Sequence, residues 1–257
     1  MTATPSAADQ LTTTFSLPLF YLRGIMPYFH HTSTAAGVTK ILTTERTALI
    51  AAARRLEAAG LTAGTAGNLS LRVEGGILIT PSAIPYADIT PDMVPLMQPD
   101  GSYTGAYRPS SEWRFHADIL GAHPAANAVV HNHAPYCTAL AIARREIPAC
   151  HYMVARFGGD SVRCAPYATF GTAELSALAL AALAGRSACL LANHGAITTA
   201  ASLAGALAAA IELEALAQHY LLSLAAGPVL LTAAEMAAAH EQFATAYRPN
   251  TPTSRHA

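Results

Sequence analysis

Charge is what this chain has least of: 12% of its 257 residues are Asp, Glu, Lys or Arg, and the net charge at pH 7 is −1. Without a basic field nothing draws in nucleic acid or an anionic membrane surface, and neither is expected as a partner. Lysine is almost absent, since fourteen of the fifteen basic residues are arginine and Lys40 stands alone. The four cysteines, Cys137, Cys150, Cys164 and Cys189, form no C-x-x-C pair and no dense framework. That spacing argues against a disulfide scaffold and reads as reduced, mostly buried thiols of a cytoplasmic protein. The first residues lack a basic segment followed by a sustained apolar run, so no secretory signal is expected.

One window, Ser187 to Ile211, lacks Asp, Glu, Lys and Arg and is long enough to span a bilayer. Asn193, His194, Gly195, Thr198, Thr199 and Ser202 interrupt it, and much of the remainder is alanine. It reads as a buried strand, a turn and the start of a helix, in a soluble protein.

What the chain does have is apolar content, 52% over 257 residues, enough to bury a full core. Residues 1–42 keep no regular period and read as a poorly ordered N-terminal extension; adjacent His30 and His31 point apart on any regular element. Residues 43–247 read as one α/β domain, with 248–257 as a tail. Thr44 caps a helix that Gly60 stops. NLSLRV and ILIT flank EGG as a hairpin. Helices are expected from Ser110 or Ser111 to about Ala122, Pro135 to Ala143, Thr172 to Leu183, Ser202 to Leu224 and Ala233 to Phe243. Strands are expected at 128–133, near Val162, and from Ala188 to Ala192.

The strand AVVHNHAPYCTA carries His131 and His133 two residues apart, which places both imidazoles on one face. Core histidines with both nitrogens hydrogen-bonded would look the same on spacing alone, so a metal reading and a packing reading both stand. His194, in LLANHGAIT, ends another apolar strand. Three imidazoles at strand ends would make the open three-ligand site that catalytic zinc uses. In RPSSEWRFH, Ser110 and Ser111 stand at a helix start, where backbone N–H groups favour an anion; plain capping is the alternative. GTAGN adds glycines and donors that, beside PSS, suggest a phosphate cradle.

Together, GTAGNLS, LITPSAIPY, RPSSEWRFH, ANAVVHNHAPYCTA, IPACHYM, CAPYATFGTAELS and LLANHG resemble the class II aldolase/adducin family, most of all its L-fuculose-1-phosphate aldolase branch. They fall in the family's order across residues 43–225. The resemblance implies an α/β fold: a three-layer α/β/α domain with a central, largely antiparallel sheet. It also implies a homotetramer with active sites at subunit interfaces. It assigns Zn²⁺ to His131, His133 and His194, acid/base work to Glu112, and the aldehyde oxygen to Tyr152 reaching a neighbouring subunit. Thr65, Gly67, Asn68, Ser82, Ser110 and Ser111 would hold a substrate phosphate, and Phe170 would line the aldehyde end. The implied reaction is reversible cleavage of a ketose 1-phosphate, L-fuculose 1-phosphate or a related deoxy sugar, to dihydroxyacetone phosphate and an aldehyde such as lactaldehyde. Epimerisation, dehydration or decarboxylation on the same site, or a non-catalytic adducin-like module, are the alternatives.

Lysine scarcity bears on this independently. An aldolase stabilises a carbanion through a lysine imine or through a metal, and the domain from residue 43 onward contains no lysine. His116, four residues after Glu112, shares its helical face and is a candidate to orient it. Ala83 departs from the family's usual glycine; at positive φ it would cost about 1–2 kcal/mol.

Overall fold

The computed structural model describes residues 35–245. The first helix, α1, spans Ala35–Ala58, nine residues further back than Thr44. Thr44 is therefore interior to the helix and not its cap. Threonine is tolerated there because its hydroxyl can bond back into the helix, as Thr47 Oγ1 does to the Thr43 carbonyl at 2.8 Å. His30, His31 and the tail from 248 lie outside the described residues.

The sheet has eight strands: β1 (Asn68–Val73), β2 (Gly76–Ile79), β3 (Leu96–Met97), β4 (Tyr103–Thr104), β5 (Ala128–Asn132), β6 (Cys164–Ala165), β7 (Ala188–Leu191) and β8 (Gly195–Ala200). Their order is β4-β3-β2-β1-β5-β8-β7-β6. Every pairing is antiparallel except β6 with β7. The hairpin read around EGG is present, with Val73 paired to Gly76. The strand expected near Val162 forms at Cys164, while Val162 makes an isolated bridge to Ile147. Of the strands the sequence reading missed, β8 matters most. It runs between β5 and β7, and the reading of 187–211 had only a turn in its place.

The remaining helices are α2 (Trp113–Ala122), α3 (Pro135–Ile142), α4 (Ala173–Leu183), α5 (Leu203–Ser223) and α6 (Ala233–Thr245). Strand alternation sorts the core into two layers. Leu69, Leu71, Leu78, Val130 and Leu190 pack with α1, α3 and α5. Ile77, Ile79, Val129, Cys189 and Ile197 pack with α2 and α4 on the other side. The result is the three-layer α/β/α arrangement with a largely antiparallel sheet. No described helix is long and apolar enough to cross a membrane.

Strand β1 shows how that sorting serves the site. Its odd positions are apolar and face α1, whereas Asn68, Ser70 and Arg72 face α2. Ser70 and Asn68 meet His116, and Arg72 Nη2 donates to the carbonyls of Leu120, in the last turn of α2, and Ala126, in the loop after it.

Candidate active site

Two turns carry the three histidines. His131 lies in β5 one residue before its end and His133 just follows the strand; Pro135 then opens α3, where its missing N–H costs nothing. Glu214, reaching over from α5, accepts the N–H groups of Tyr136 and Cys137, both at 2.8 Å. That carboxylate caps α3 and so pins the turn that presents His133. His194 sits in the tight β7–β8 connection, with Asn193 at φ 55°. Gly195 lets this connection close on β5: a Cβ there would lie 2.3 Å from the Asn132 carbonyl oxygen and 2.8 Å from the His133 ring.

The three imidazoles converge, with one nitrogen of each within 4.8 Å of the others. The His131 Nδ1–H donates to the Ala196 carbonyl at 3.0 Å, so a neutral His131 presents a bare lone pair at Nε2. That lone pair faces His133 Nε2 at 3.0 Å and Glu112 Oε2 at 3.2 Å. Glu112 Oε1 is 3.2 Å from His194 Nε2, yet it is buried without a hydrogen-bond partner. A cation among these electron-rich atoms would satisfy all of them at once. The residues present therefore fit a divalent metal, and three imidazoles suit zinc. Burial pushes the His133 pKa down to about 4, with His131 and His194 adding to the effect, which favours the neutral form that a metal requires. Burial alone would raise the Glu112 carboxyl; the imidazoles of His131 and His194, where they carry a proton towards it, outweigh burial and hold the carboxyl below the usual range.

Glu112 occupies the N-cap position of α2, which starts at Trp113 and not at Ser110 or Ser111. The two serines form the turn before it. Ser110 Oγ accepts the Glu112 N–H at 3.3 Å. Two Pro-Ser segments are stitched together here: Ser82 N–H donates to the Arg108 carbonyl and Ser110 N–H to the Thr80 carbonyl, each at 3.0 Å. The backbone N–H of Ser82 is thus already used, and its hydroxyl is the donor it has left for a ligand. Ala83 does adopt positive φ, 58°.

A cleft of about 300 Å³ lies against this assembly. Thr65, Gly67, Asn68, Ser82, Ser110, Ser111, Glu112, His133, Phe170 and His194, expected in phosphate, acid/base, metal and aldehyde roles, all line it. Among the described residues, no lysine or arginine lines it. Asn68 has its carboxamide engaged at both ends, by Glu112 and by His116, so one amide hydrogen remains for a ligand. His116 does not touch Glu112 directly; it bonds Asn68 and Ser70. Tyr152 is outside this cleft, 54% exposed at the start of a short 3₁₀ helix beside His151. Tyr167 and Asn193 line the cleft and were missed, although both stood within motifs already singled out.

A family model described as the Class II Aldolase and Adducin N-terminal domain matches residues 47–221. The chain belongs to this family. It is 52% identical over 201 residues to a 5-methylthioribulose-1-phosphate/5-deoxyribulose-1-phosphate aldolase of Rhodospirillum rubrum, covering 78% of this chain and 91% of the relative. To the L-fuculose phosphate aldolase of Escherichia coli K12 it is 50% identical over 188 residues, 72% and 87% of the two chains. Among solved structures, an L-fuculose 1-phosphate aldolase superposes with a TM-score of 0.75 at 39% identity, covering 77% of this chain and 95% of that one. The protein is an enzyme, a class II aldolase, and enzymes of that class depend on a metal. The aldolase's cluster of three histidines is a candidate for holding it.

Proposed function

We propose that this aldolase reversibly cleaves a ketose 1-phosphate, L-fuculose 1-phosphate or a related deoxy-pentulose or deoxy-hexulose 1-phosphate. The products would be dihydroxyacetone phosphate and a short aldehyde. The observation that carries the reading is the Glu112 carboxylate, 3.2 Å from both His131 Nε2 and His194 Nε2, in a cleft with neutral hydrogen-bond donors. Zinc on His131, His133 and His194 would supply Lewis-acid polarisation of the substrate's ketone oxygen, which lowers the cost of a carbanion beside it.

The chain's own groups do the rest. Thr65, Gly67, Asn68, Ser82, Ser110 and Ser111 hold the phosphate through hydroxyl, amide and backbone donors. As the carbon–carbon bond breaks, a base takes the hydroxyl proton of the carbon that becomes the aldehyde. Tyr152 of a neighbouring subunit, or a water, serves there, in a homotetramer whose sites lie at subunit interfaces. Glu112 then delivers a proton to the three-carbon fragment, and in the reverse direction it removes that proton. Phe170 lines the aldehyde end. The free cysteines fit a reducing compartment, and we place the enzyme in the cytoplasm.

The test is product analysis of dihydroxyacetone phosphate incubated with lactaldehyde, glycolaldehyde, acetaldehyde and methylthioacetaldehyde. Ketose 1-phosphate formation with at least one of them is expected. No condensation with any aldehyde, alongside epimerisation or decarboxylation of a sugar phosphate, would overturn the reading.

A further inference from the structure

Behind the cleft a chain of polar side chains runs between β1 and α2. Ser70 and His116 are fully buried and Asn68 is 5% exposed. Ser70 Oγ is 2.7 Å from His116 Nδ1, His116 Nε2 is 2.5 Å from Asn68 Oδ1, and Asn68 Nδ2 is 2.9 Å from Glu112 Oε2. Every direction in this chain is forced. A carboxylate oxygen only accepts, so the Asn68 amide must donate to it, which turns Oδ1 towards His116. Oδ1 only accepts, so His116 carries its proton on Nε2. Its Nδ1 then accepts from the Ser70 hydroxyl. The His116 ring is stacked against Phe115, with centroids 4.7 Å apart. Burial, chiefly, with His131 nearby, pushes its pKa down to about 3, in keeping with a neutral ring.

The sequence spacing builds the chain. Asn68 and Ser70 are two apart on one face of β1; Glu112 is the N-cap of α2 and His116, four residues on, lies in its first turn. Burying such a network adds little stability over apolar side chains of the same shape. What it supplies is direction. It ties down Oε2 and leaves Oε1, on the His194 side, with no hydrogen bond.

We infer that Ser70, His116 and Asn68 form a positioning relay that anchors Glu112 through Oε2 and reserves Oε1 for proton exchange with the substrate carbon. In the condensation direction the carbon's proton passes to Oε1 and the C–H electron pair stays on the substrate; cleavage returns the proton. His116 reaches neither cleft nor carboxylate, and it acts through Asn68 alone. The inference rests on Glu112 being the acid/base.

The experiment compares wild type with His116→Phe, His116→Gln and Ser70→Ala, each with its metal content and melting temperature measured. ¹⁵N spectra of histidine-labelled protein, with His116 assigned from the Gln variant, should show a neutral ring protonated at Nε2. Deuterium exchange from solvent into dihydroxyacetone phosphate should fall at least about tenfold in His116→Phe, with kcat following and KM, through Asn68, rising by less than kcat falls. His116→Gln keeps an N–H near the Nε2 position and should recover most of the loss. Ser70→Ala should lose about threefold and shift the His116 ¹⁵N signals; it decides the matter where the Phe variant does not fold. A proton on Nδ1, exchange unchanged at equal metal content, or a Gln variant as poor as the Phe variant would each overturn the relay. Absence of exchange in wild type would instead overturn the acid/base reading of Glu112, and the ¹⁵N spectrum would still judge the hydrogen-bond order.

Discussion

Replacing Ala83 by glycine probes the point where backbone conformation and the phosphate cradle meet. Ala83 holds φ at 58°, in the left-handed region. An L-residue pays roughly 1–2 kcal/mol there, through crowding of Cβ against the carbonyl, and glycine pays none. Against that gain, glycine widens the unfolded ensemble, which costs about 0.4–1 kcal/mol. Strain is the larger of the two, so Ala83→Gly should stabilise the enzyme by about 1 kcal/mol, or roughly 2–4 °C in Tm for a domain of this size. Ala83 also lines the cleft, so losing its methyl gives a phosphate closer access to the backbone. KM for the phosphorylated substrate should hold or fall, and kcat should not move. Calorimetry and initial rates on metal-loaded enzyme measure both. A lower Tm would mean that packing of the methyl outweighs backbone strain, and a raised KM would mean that it does not crowd the phosphate.

Other perturbations follow from the same geometry. Glu112→Gln should keep fold and metal and lose about 10²–10⁴-fold in turnover, as seen in steady-state rates. Gly195→Ala should sharply lower metal content by elemental analysis, because its Cβ would sit 2.3 Å from the Asn132 oxygen. Glu214→Ala removes two charge-assisted caps from α3 and should cost about 1–3 kcal/mol in urea unfolding. Ser111→Ala should raise KM for dihydroxyacetone phosphate far more than for the aldehyde, because Ser111 lines the cleft while Ser110 already bonds the backbone.

Motifs with local geometry could be read from the sequence. The period of two in AVVHNH put His131 and His133 on one face, and apolar runs placed β5 and β7. The turn chemistry of NHG put His194 at a strand end. What escaped depended on tertiary pairing. Strand β8 is six residues of Gly, Ala, Ile and Thr, whose identity as a strand comes from its neighbours β5 and β7. Helix α1 reached back past threonines that propensity alone would place at a cap. The engagement of the Ser82 N–H by Arg108 needed the two Pro-Ser loops side by side, which no local pattern shows. His133, His194, Ser110 and Ser111 could be read from strand period and helix-start chemistry, whereas the roles of the other cleft residues came through family resemblance, which gave none to Tyr167 or Asn193.

The central claim is that Glu112, beside a cluster of three histidines fit to hold a metal, moves a proton on the carbon next to a ketone. The most direct measurement is solvent-deuterium exchange into dihydroxyacetone phosphate by metal-loaded wild type and Glu112→Gln at equal metal content. Exchange of a single hydrogen by wild type, stopped by chelation, restored by Zn²⁺ and lowered about 10²–10⁴-fold in the variant, is the predicted result. Exchange that survives exhaustive metal removal, or that is as fast in Glu112→Gln as in wild type, would contradict it.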